Sequence, residues 1–580
     1  MFRKNEAHRQ PPLLSPVRLL PEKQRQRLDT SWAGVFYRDF FSRLDETIFA
    51  VLYAEATSRP NIPVNVLVSL DFLKAGHGWS DEEMYDQFQY NLQVRYAVGL
   101  HDFDTGHFEL RTVYNFRRRL SHYQKESGAD LLSQAFAAVT DEQLAAYGIR
   151  TEKHRMDSSQ IGSDMADASR LQLVVSAVQR AARLLDAQQQ VVYQEAIAPY
   201  QQSRAEQFVY RMKGREATQA ALQTAGEVLA QLLAVIDEEL SDEAAVSYAT
   251  VKRLFADNFW LTDEGLVQVK AHNEISAGAL QSLDDLEATF RRKGGETYKG
   301  YVLNVSETCD PENELQLITQ VQAVPNNTDD AALLCAALPD LCERTNLAEL
   351  YTDGGFGSPT ADELLLAHGI TLHQTHLRGK QPDPTRYSLA DFHLACDQAG
   401  NPTYLGCPHG QIVPVQPGRT TGFVARFALA RCQACPAFQA QCRVRLMQRQ
   451  AVGSLEFTRT EVLWALRRQR HRRLRQTPGD PRAAIEATVR TVKHPSGGHL
   501  PVRGLRRVTD MLIGAAAMAN IRSILRFHKR KWKRRLAQVA AEWQQATETE
   551  AFKAVQATLA SLLSWPTLSK MLVFDTCFSC

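Results

Sequence analysis

The 580-residue chain contains no long apolar run. The longest, near Met511 to Met518, falls far short of the roughly 20 residues that a bilayer-spanning helix needs. No apolar run follows the opening Met1-Phe2-Arg3-Lys4-Asn5-Glu6 either. The sequence therefore predicts no signal peptide, no membrane partner and a cytoplasmic location. Cysteine is sparse, with ten in the whole chain. In a reducing compartment these read as thiols or metal ligands rather than a disulfide framework. Proline is nearly missing from 165–295, where Pro199 stands alone among many Ala, Gln, Leu and Glu; that composition predicts a helical insertion. Acidic residues are scarce between Trp464 and Arg535, where Asp480, Glu486 and Asp510 face twenty Lys or Arg. This local surplus of 17, in a chain of net charge +2, leaves −15 for the remainder. Such a block is the electrostatic footprint of a polyphosphate partner. Within it, the tracts Arg467 to Arg473 and Lys529 to Arg535 are expected to be helical and to contact phosphate, with Trp532 either stacking on a base or packing.

What is present falls into several domains, as the length requires. Residues 1–30 are polar and read as a flexible arm. From 31 to 148 the pattern is helical and suits a DNA-binding domain. Pro63 opens a helix from Val64 to Ala75 that Gly76 stops. Ser80 and Glu83 then form a capping box ahead of the apolar positions Met84, Phe88 and Leu92. The pair of helices around Gly76-His77-Gly78 suits a helix-turn-helix or a plain packed pair. In Thr112 to Leu120, the aromatics Tyr114 and Phe116 can anchor a helix while Arg117, Arg118 and Arg119 meet phosphate.

Three carboxylates carry the candidate chemistry. Residues 149–157 read as a strand ending on Asp157, followed by Ser158-Ser159-Gln160. From Tyr298 the period changes to two: Tyr301, Leu303 and Val305, then a turn at Asp310 to Asn313, then Leu315 to Ala323, a hairpin. A helix from Asp329 to about Leu338 leads to a strand over 347–352 that ends on Asp353 and Gly354-Gly355-Phe356. A helix at Thr360 to His368 and a strand at Ile370 to Gln374 continue the alternation. Later comes Pro481 to Lys493, read as one helix. At about 3.6 residues per turn, Arg482, Glu486, Arg490 and Lys493 share a stripe beside the apolar Ile485, Val489 and Val492. Alone, that helix reads equally as a surface ion pair. With Asp157 and Asp353 at strand ends, Glu486 reads as the third oxygen ligand of a hard divalent cation, and two such cations clamp an in-line phosphoryl transfer.

At these residues the chain resembles the RNase H-like DDE transposases of bacterial insertion sequences, and most of all the branch with a Tyr-x2-Arg-x3-Glu-x6-Lys signature. Arg482-x3-Glu486-x6-Lys493 matches in spacing, while Gly479 stands at the tyrosine position. Asp157 and Asp353 match the first and second aspartates, and Leu500 to Leu505 and Ala515 to Arg522 resemble the downstream region. Pro60 to Leu120 resembles the N-terminal domain that precedes the catalytic one. The resemblance implies an α/β fold: an RNase H-like mixed-sheet catalytic domain formed from 149–164, 296–379 and 456–530, with a helical N-terminal domain, a helical insertion and a cysteine-bearing insertion. It implies binding of double-stranded DNA at terminal inverted repeats, cleavage at the element ends and transfer of the 3′-hydroxyl ends to target DNA. Asp157, Asp353 and Glu486 would hold two Mg²⁺ (or Mn²⁺) per active site, with Arg482, Arg490 and Lys493 on DNA. Joining two ends implies a homo-oligomer in the synaptic complex, associated with the nucleoid. A nuclease that cuts without joining, and a domesticated sequence-specific DNA-binding protein, are the alternatives.

Residues 380–455 hold Cys407, Cys432, Cys435 and Cys442, a C-x24-C-x2-C-x6-C array. Four thiolates at these spacings suit a structural, tetrahedral Zn²⁺, with His409 a possible substitute ligand and Cys396 a competitor. Residues 531–580 read as a basic helical tail that ends on the pair Cys577 and Cys580, which has no partner pair nearby.

Overall fold

The computed structural model describes residues 1–558 apart from 11, 13, 55–59, 237–239, 380, 419–421, 438–440, 448, 450, 477, 478, 480 and 549–552. Cys577 and Cys580 lie outside the described residues. The chain divides into two compact units, Met1–Ile521 and Arg522–Cys580.

The first unit begins with helices α1 (Pro16–Leu19), α2 (Glu22–Asp29), α3 (Trp32–Asp39), α4 (Val64–His77), α5 (Asp81–Tyr90), α6 (Leu92–Ala97), α7 (Leu110–Ser127) and α8 (Leu131–Ala146). Residues 1–30, expected as an arm, lie against this bundle: His8 and Val17 are buried, and Asn5 donates its backbone N–H to Glu46 at 2.8 Å. The Ser80–Glu83 capping box forms as expected. Gly76 does not stop α4, which runs on to His77 and ends at Gly78 in the left-handed region, φ 73°. Gly76 is instead a contact residue: a Cβ there would stand 2.2 Å from the Met518 side chain.

The central sheet of the described residues follows. Strand β1 (Lys153–Ile161) is followed by an insertion of helices α9 (Arg170–Ala182), α10 (Ala187–Val192), α11 (Gln194–Gln201), α12 (Ala205–Tyr210), α13 (Arg215–Val235) and α14 (Asp242–Asn258). This insertion buries a core of its own, including Val174, Val178, Leu229 and Leu254. It is not helical to its end: a small hairpin, β2 (Phe259–Leu261) and β3 (Val267–Val269), and strand β4 (Thr289–Lys293) close it. Then come β5 (Glu296–Thr308), β6 (Ile318–Pro325), α15 (Asp330–Arg344), β7 (Glu349–Thr352), α16 (Pro359–Ala367) and β8 (Thr371–Gln374). The order across the sheet is β4-β5-β1-β7-β8, with β6 also paired to β5. β1 is antiparallel to β5 and parallel to β7. Met156 packs with Leu333, Leu334 and Leu338 of α15, so α15 covers one face of β1. Alternation along the strand sends Asp157 to the other face.

Residues 380–455, expected only as a cysteine-bearing insertion, form part of a second, antiparallel sheet. Its strands are β9 (His393–Cys396), β10 (Pro402–Gly406), β11 (Ile412–Pro417), β12 (Phe423–Ala428), β13 (Arg445–Met447) and β14 (Val452–Phe457), with α17 (Leu429–Gln433) between β12 and β13. The chain returns through α18 (Arg459–Leu474) and α19 (Ile485–Lys493) to α20 (Leu505–Glu548). Within the first unit, Asn520 of α20 lies against the edge strand β6. Its side chain accepts from the Ile318 N–H at 2.8 Å and donates to the Ile318 carbonyl at 2.9 Å. An 18-residue window of α20 is as apolar as a membrane span, contrary to the expectation that the chain has no such stretch; 72% of that window is buried inside the protein, as in a core helix. In the second unit, Lys529 to Arg535 is helical and exposed, with Trp532 62% exposed.

Candidate active site

Two strands bring Asp157 and Asp353 level. β1 and β7 pair in parallel with Arg155 opposite Tyr351, and continuing that register two residues sets Asp157 beside Asp353. Asp157 is not at a strand end, as the sequence suggested. Strand β1 runs on to Ile161 because Ser158, Ser159 and Gln160 keep pairing with Asn304, Leu303 and Val302 of β5. Asp353 does terminate β7 and caps the short turn behind it, accepting from the Gly355 N–H at 2.7 Å.

Helix α19 lies over this face of β1. Its apolar stripe, Ile485, Val489 and Val492, is buried as the sequence predicted. Polar contacts fix its position. Arg155 pairs with Glu307 at 2.7 Å and donates to the Pro481 carbonyl at 3.0 Å, while Thr488 donates to the same Glu307 at 2.9 Å. Lys493 donates to the Ser159 hydroxyl at 2.9 Å and the Gln160 carbonyl at 2.7 Å. Lys493 is thus tied to β1, and burial lowers its pKa. Glu486 and Arg490 are exposed.

Arg482 is not on the helix. It lies in the turn just before α19, which frees its side chain to reach in. Its guanidinium stands 3.2 Å from Asp157 and 3.3 Å from Glu486. Burial works to lower the Arg482 pKa, but Asp157, Asp353 and Glu486 together outweigh it and raise the value. Burial raises the Asp157 carboxyl above the usual carboxylate range, and Asp353 adds to this, against the pull of Arg482. Two of the three carboxylates foreseen from sequence, Asp157 and Glu486, therefore meet on one cation, and Asp353, level with Asp157 in the sheet, adds its charge to the same guanidinium. Asp157 and Glu486 are closed on Arg482 and Asp353 on the Gly355 N–H, and among the described residues no three His, Cys, Asp or Glu side chains form a ready-made metal site. The donor set is nevertheless all carboxylate, which suits a hard divalent ion. Glu486 is 61% exposed at its side chain, where it pairs with Arg482.

Sequence reasoning missed Asp330. It opens α15 and is 1% exposed, beneath the middle of β1 at Ser158 and the turn that follows β7. Its only sequence signal was its place at the start of a helix after the hairpin. Sequence reasoning also placed cations outward that the fold turns inward. Arg117 pairs with Asp71 at 2.5 Å and Asp81 at 2.8 Å, so it holds α4, α5 and α7 together instead of waiting for phosphate. Arg118 and Arg119 are exposed, and Arg119 borders a cavity of about 800 Å³ with Tyr85, His107 and Asn115. In the tract Arg467 to Arg473, Arg467 pairs with buried Asp362 at 2.8 Å and Arg472 with Asp391 at 2.8 Å.

Cys407, Cys432, Cys435 and Cys442 all line one cavity of about 450 Å³ together with His409, whereas Cys396 is not in its lining. Backbone and side chain of Gln411 donate to Cys407 and Cys432 sulfur at 3.3 and 3.7 Å. Burial raises the pKa of Cys432 and Cys442.

Residues 24–119 match the family described as Transposase domain (DUF772). That stretch covers helices α3 to α6 and most of α2 and α7. The match supports a transposase role, hence a DNA-processing enzyme. No curated protein and no solved structure matches the chain.

Proposed function

We propose that the chain is a DNA transposase with an RNase H-like catalytic domain, and that Asp157, Asp353 and Glu486 are its metal-binding carboxylates. It binds the terminal inverted repeats of its element, cleaves phosphodiester bonds at the element ends and transfers the 3′-hydroxyl ends to target DNA. The observation that carries this reading is that segments 196 and 133 residues apart in sequence bring Asp353 level with Asp157 in the sheet and Glu486 onto the same guanidinium, Arg482, as Asp157. Two Mg²⁺ or Mn²⁺ ions, when bound, supply electrostatic stabilisation of the attacking and leaving oxygens. The chain's own part is to hold Asp157 and Asp353 at one level of the sheet with Glu486 on the helix above, and to offer phosphate the exposed Arg490, with Arg482 and Lys493 following once DNA draws them from their present partners. Arg118, Arg119 and the exposed tract Lys529 to Arg535 add contacts to double-stranded DNA, with steep salt dependence. The cysteine cavity holds a structural Zn²⁺ through Cys407, Cys432, Cys435 and Cys442. The protein works as a homo-oligomer, since two ends must meet, and with DNA as its substrate it acts at the nucleoid in the cytoplasm.

A nick-and-join assay tests the reading, with Mg²⁺ or Mn²⁺ and a DNA carrying the element's own ends. Cleavage and joining that Glu486→Gln abolishes are expected. Cleavage without joining favours a nuclease, binding alone favours a domesticated DNA-binding protein, and full activity in Glu486→Gln removes the metal assignment.

A further inference from the structure

Asp330 lies under the same part of the sheet, on the face opposite Asp157. Its neighbour on β1 is Ser158, whose side chain points away from the Asp157 face by strand alternation. The Ser158 hydroxyl donates to one Asp330 oxygen at 2.9 Å. Arg378, four residues after the end of β8, approaches the other oxygen at 3.4 Å. Gly355 fills the remaining side. A Cβ there would stand 2.4 Å from the Asp330 Oδ2 and 2.9 Å from the Asp353 Oδ1, so only a glycine lets the two carboxylates come this close. Asp330 thus touches β1 one residue beyond Asp157, and it lies against Gly355, whose N–H donates to Asp353. A carboxylate this buried is costly unless its hydrogen bonds are made; here one is made to β1 through Ser158, while the turn after β7 meets the carboxylate by close approach at Gly355.

We infer that Asp330 is a positioning residue that fixes the spacing of Asp157 and Asp353 from below, and so sets the affinity of the site for divalent metal. The inference rests on the metal-site reading above. Outer groups that orient ligands typically change metal affinity about 10- to 100-fold when removed. The Ser158 and Gly355 contacts set this position, and Arg378, half-exposed, only borders it.

The test is calorimetric titration of Mn²⁺ into the full chain, with thermal unfolding followed in excess chelator as a separate readout. Asp330→Asn is expected to weaken Mn²⁺ binding roughly 10- to 100-fold. Ser158→Ala should weaken it in the same direction, as should Gly355→Ala, whose methyl forces the two carboxylates apart. These two variants decide the matter if Asp330→Asn does not fold. Asp285→Asn is the control: Asp285 is also 1% exposed and is held by Ser163 and Tyr301, so it should lower the unfolding midpoint without changing the Mn²⁺ affinity. Wild-type affinity in the Asp330, Ser158 and Gly355 variants overturns the inference, as does an equal loss in Asp285→Asn. Should wild type bind no Mn²⁺, or Asp157→Asn bind it normally, the metal-site reading itself falls and takes this inference with it.

Discussion

Replacing Arg482 by Gln separates the roles of the three carboxylates from that of their cation. In the folded chain, Arg482 must be released before Asp157 and Glu486 can take a metal. The Asp157 contact is well shielded, with both side chains under 15% exposed. A charge-assisted hydrogen bond of this kind contributes about 2–3 kcal/mol. The Glu486 contact is worth far less, since that carboxylate is 61% exposed and water screens it; about 0–1 kcal/mol is reasonable. Removing the guanidinium therefore spares an entering cation about 2–3 kcal/mol, or roughly 30- to 150-fold in affinity. Calorimetry of the full chain should show Arg482→Gln binding Mn²⁺ more tightly than wild type by this factor. The same variant should bind DNA less well and join ends poorly, because the phosphate contact is lost. An unchanged or weaker Mn²⁺ affinity would refute the reasoning, since it would mean that Arg482 does not compete for the carboxylates.

Three other outcomes are expected. Asn520→Ala strands the N–H and carbonyl of Ile318 on the edge of the sheet, at about 2–4 kcal/mol for two buried unpaired groups; a shift in the urea midpoint worth less than about 0.5 kcal/mol would contradict this. Asp510 is pushed up to about 7 by burial, with Asp130 and Asp71 adding to the shift and Arg506 opposing it. Its folded value lies above the ordinary 3.8, so the native state holds the extra proton, and stability falls as pH rises from about 4 to about 7. Asp510→Asn should accordingly raise the unfolding midpoint at pH 8 and leave it little changed at pH 4, and a pH-independent difference would argue against the assignment. Metal analysis of the purified protein should find about one zinc per chain, lost together with thermal stability in Cys435→Ser; a stoichiometry near zero removes the zinc proposal.

The local signals in the sequence were the legible ones. Period-two alternation located β5 and β6, the Ser80–Glu83 pair located the start of α5, and the stripe Ile485, Val489, Val492 located the buried face of α19. Each is decided within a few residues. What the sequence left hidden depends on partners far along the chain. Arg117 looks like a free cation until Asp71 and Asp81 arrive beside it. Gly76 looks like a helix stop until Met518 needs its space. Asp157 looks like a strand end because the polar residues after it give no sign that β5 will pair with them. Asp330 showed no motif because its meaning lies in Ser158 and Gly355, 172 and 25 residues away. The second sheet, β9 to β14, was masked by the cysteines and prolines that drew attention to its loops.

The insertion between β1 and β5 has a consequence for how the protein is made. β1 and β5 are neighbours in the sheet, yet a self-contained core lies between them in the chain. During synthesis at about 5–20 residues per second, that core can fold while β1 still waits for its partner. Glu486 emerges 329 residues after Asp157, a lag of roughly 15–65 seconds at that pace. The three carboxylates meet only when nearly the whole chain has left the ribosome, so a truncated product carries its aspartates without the glutamate that completes the set.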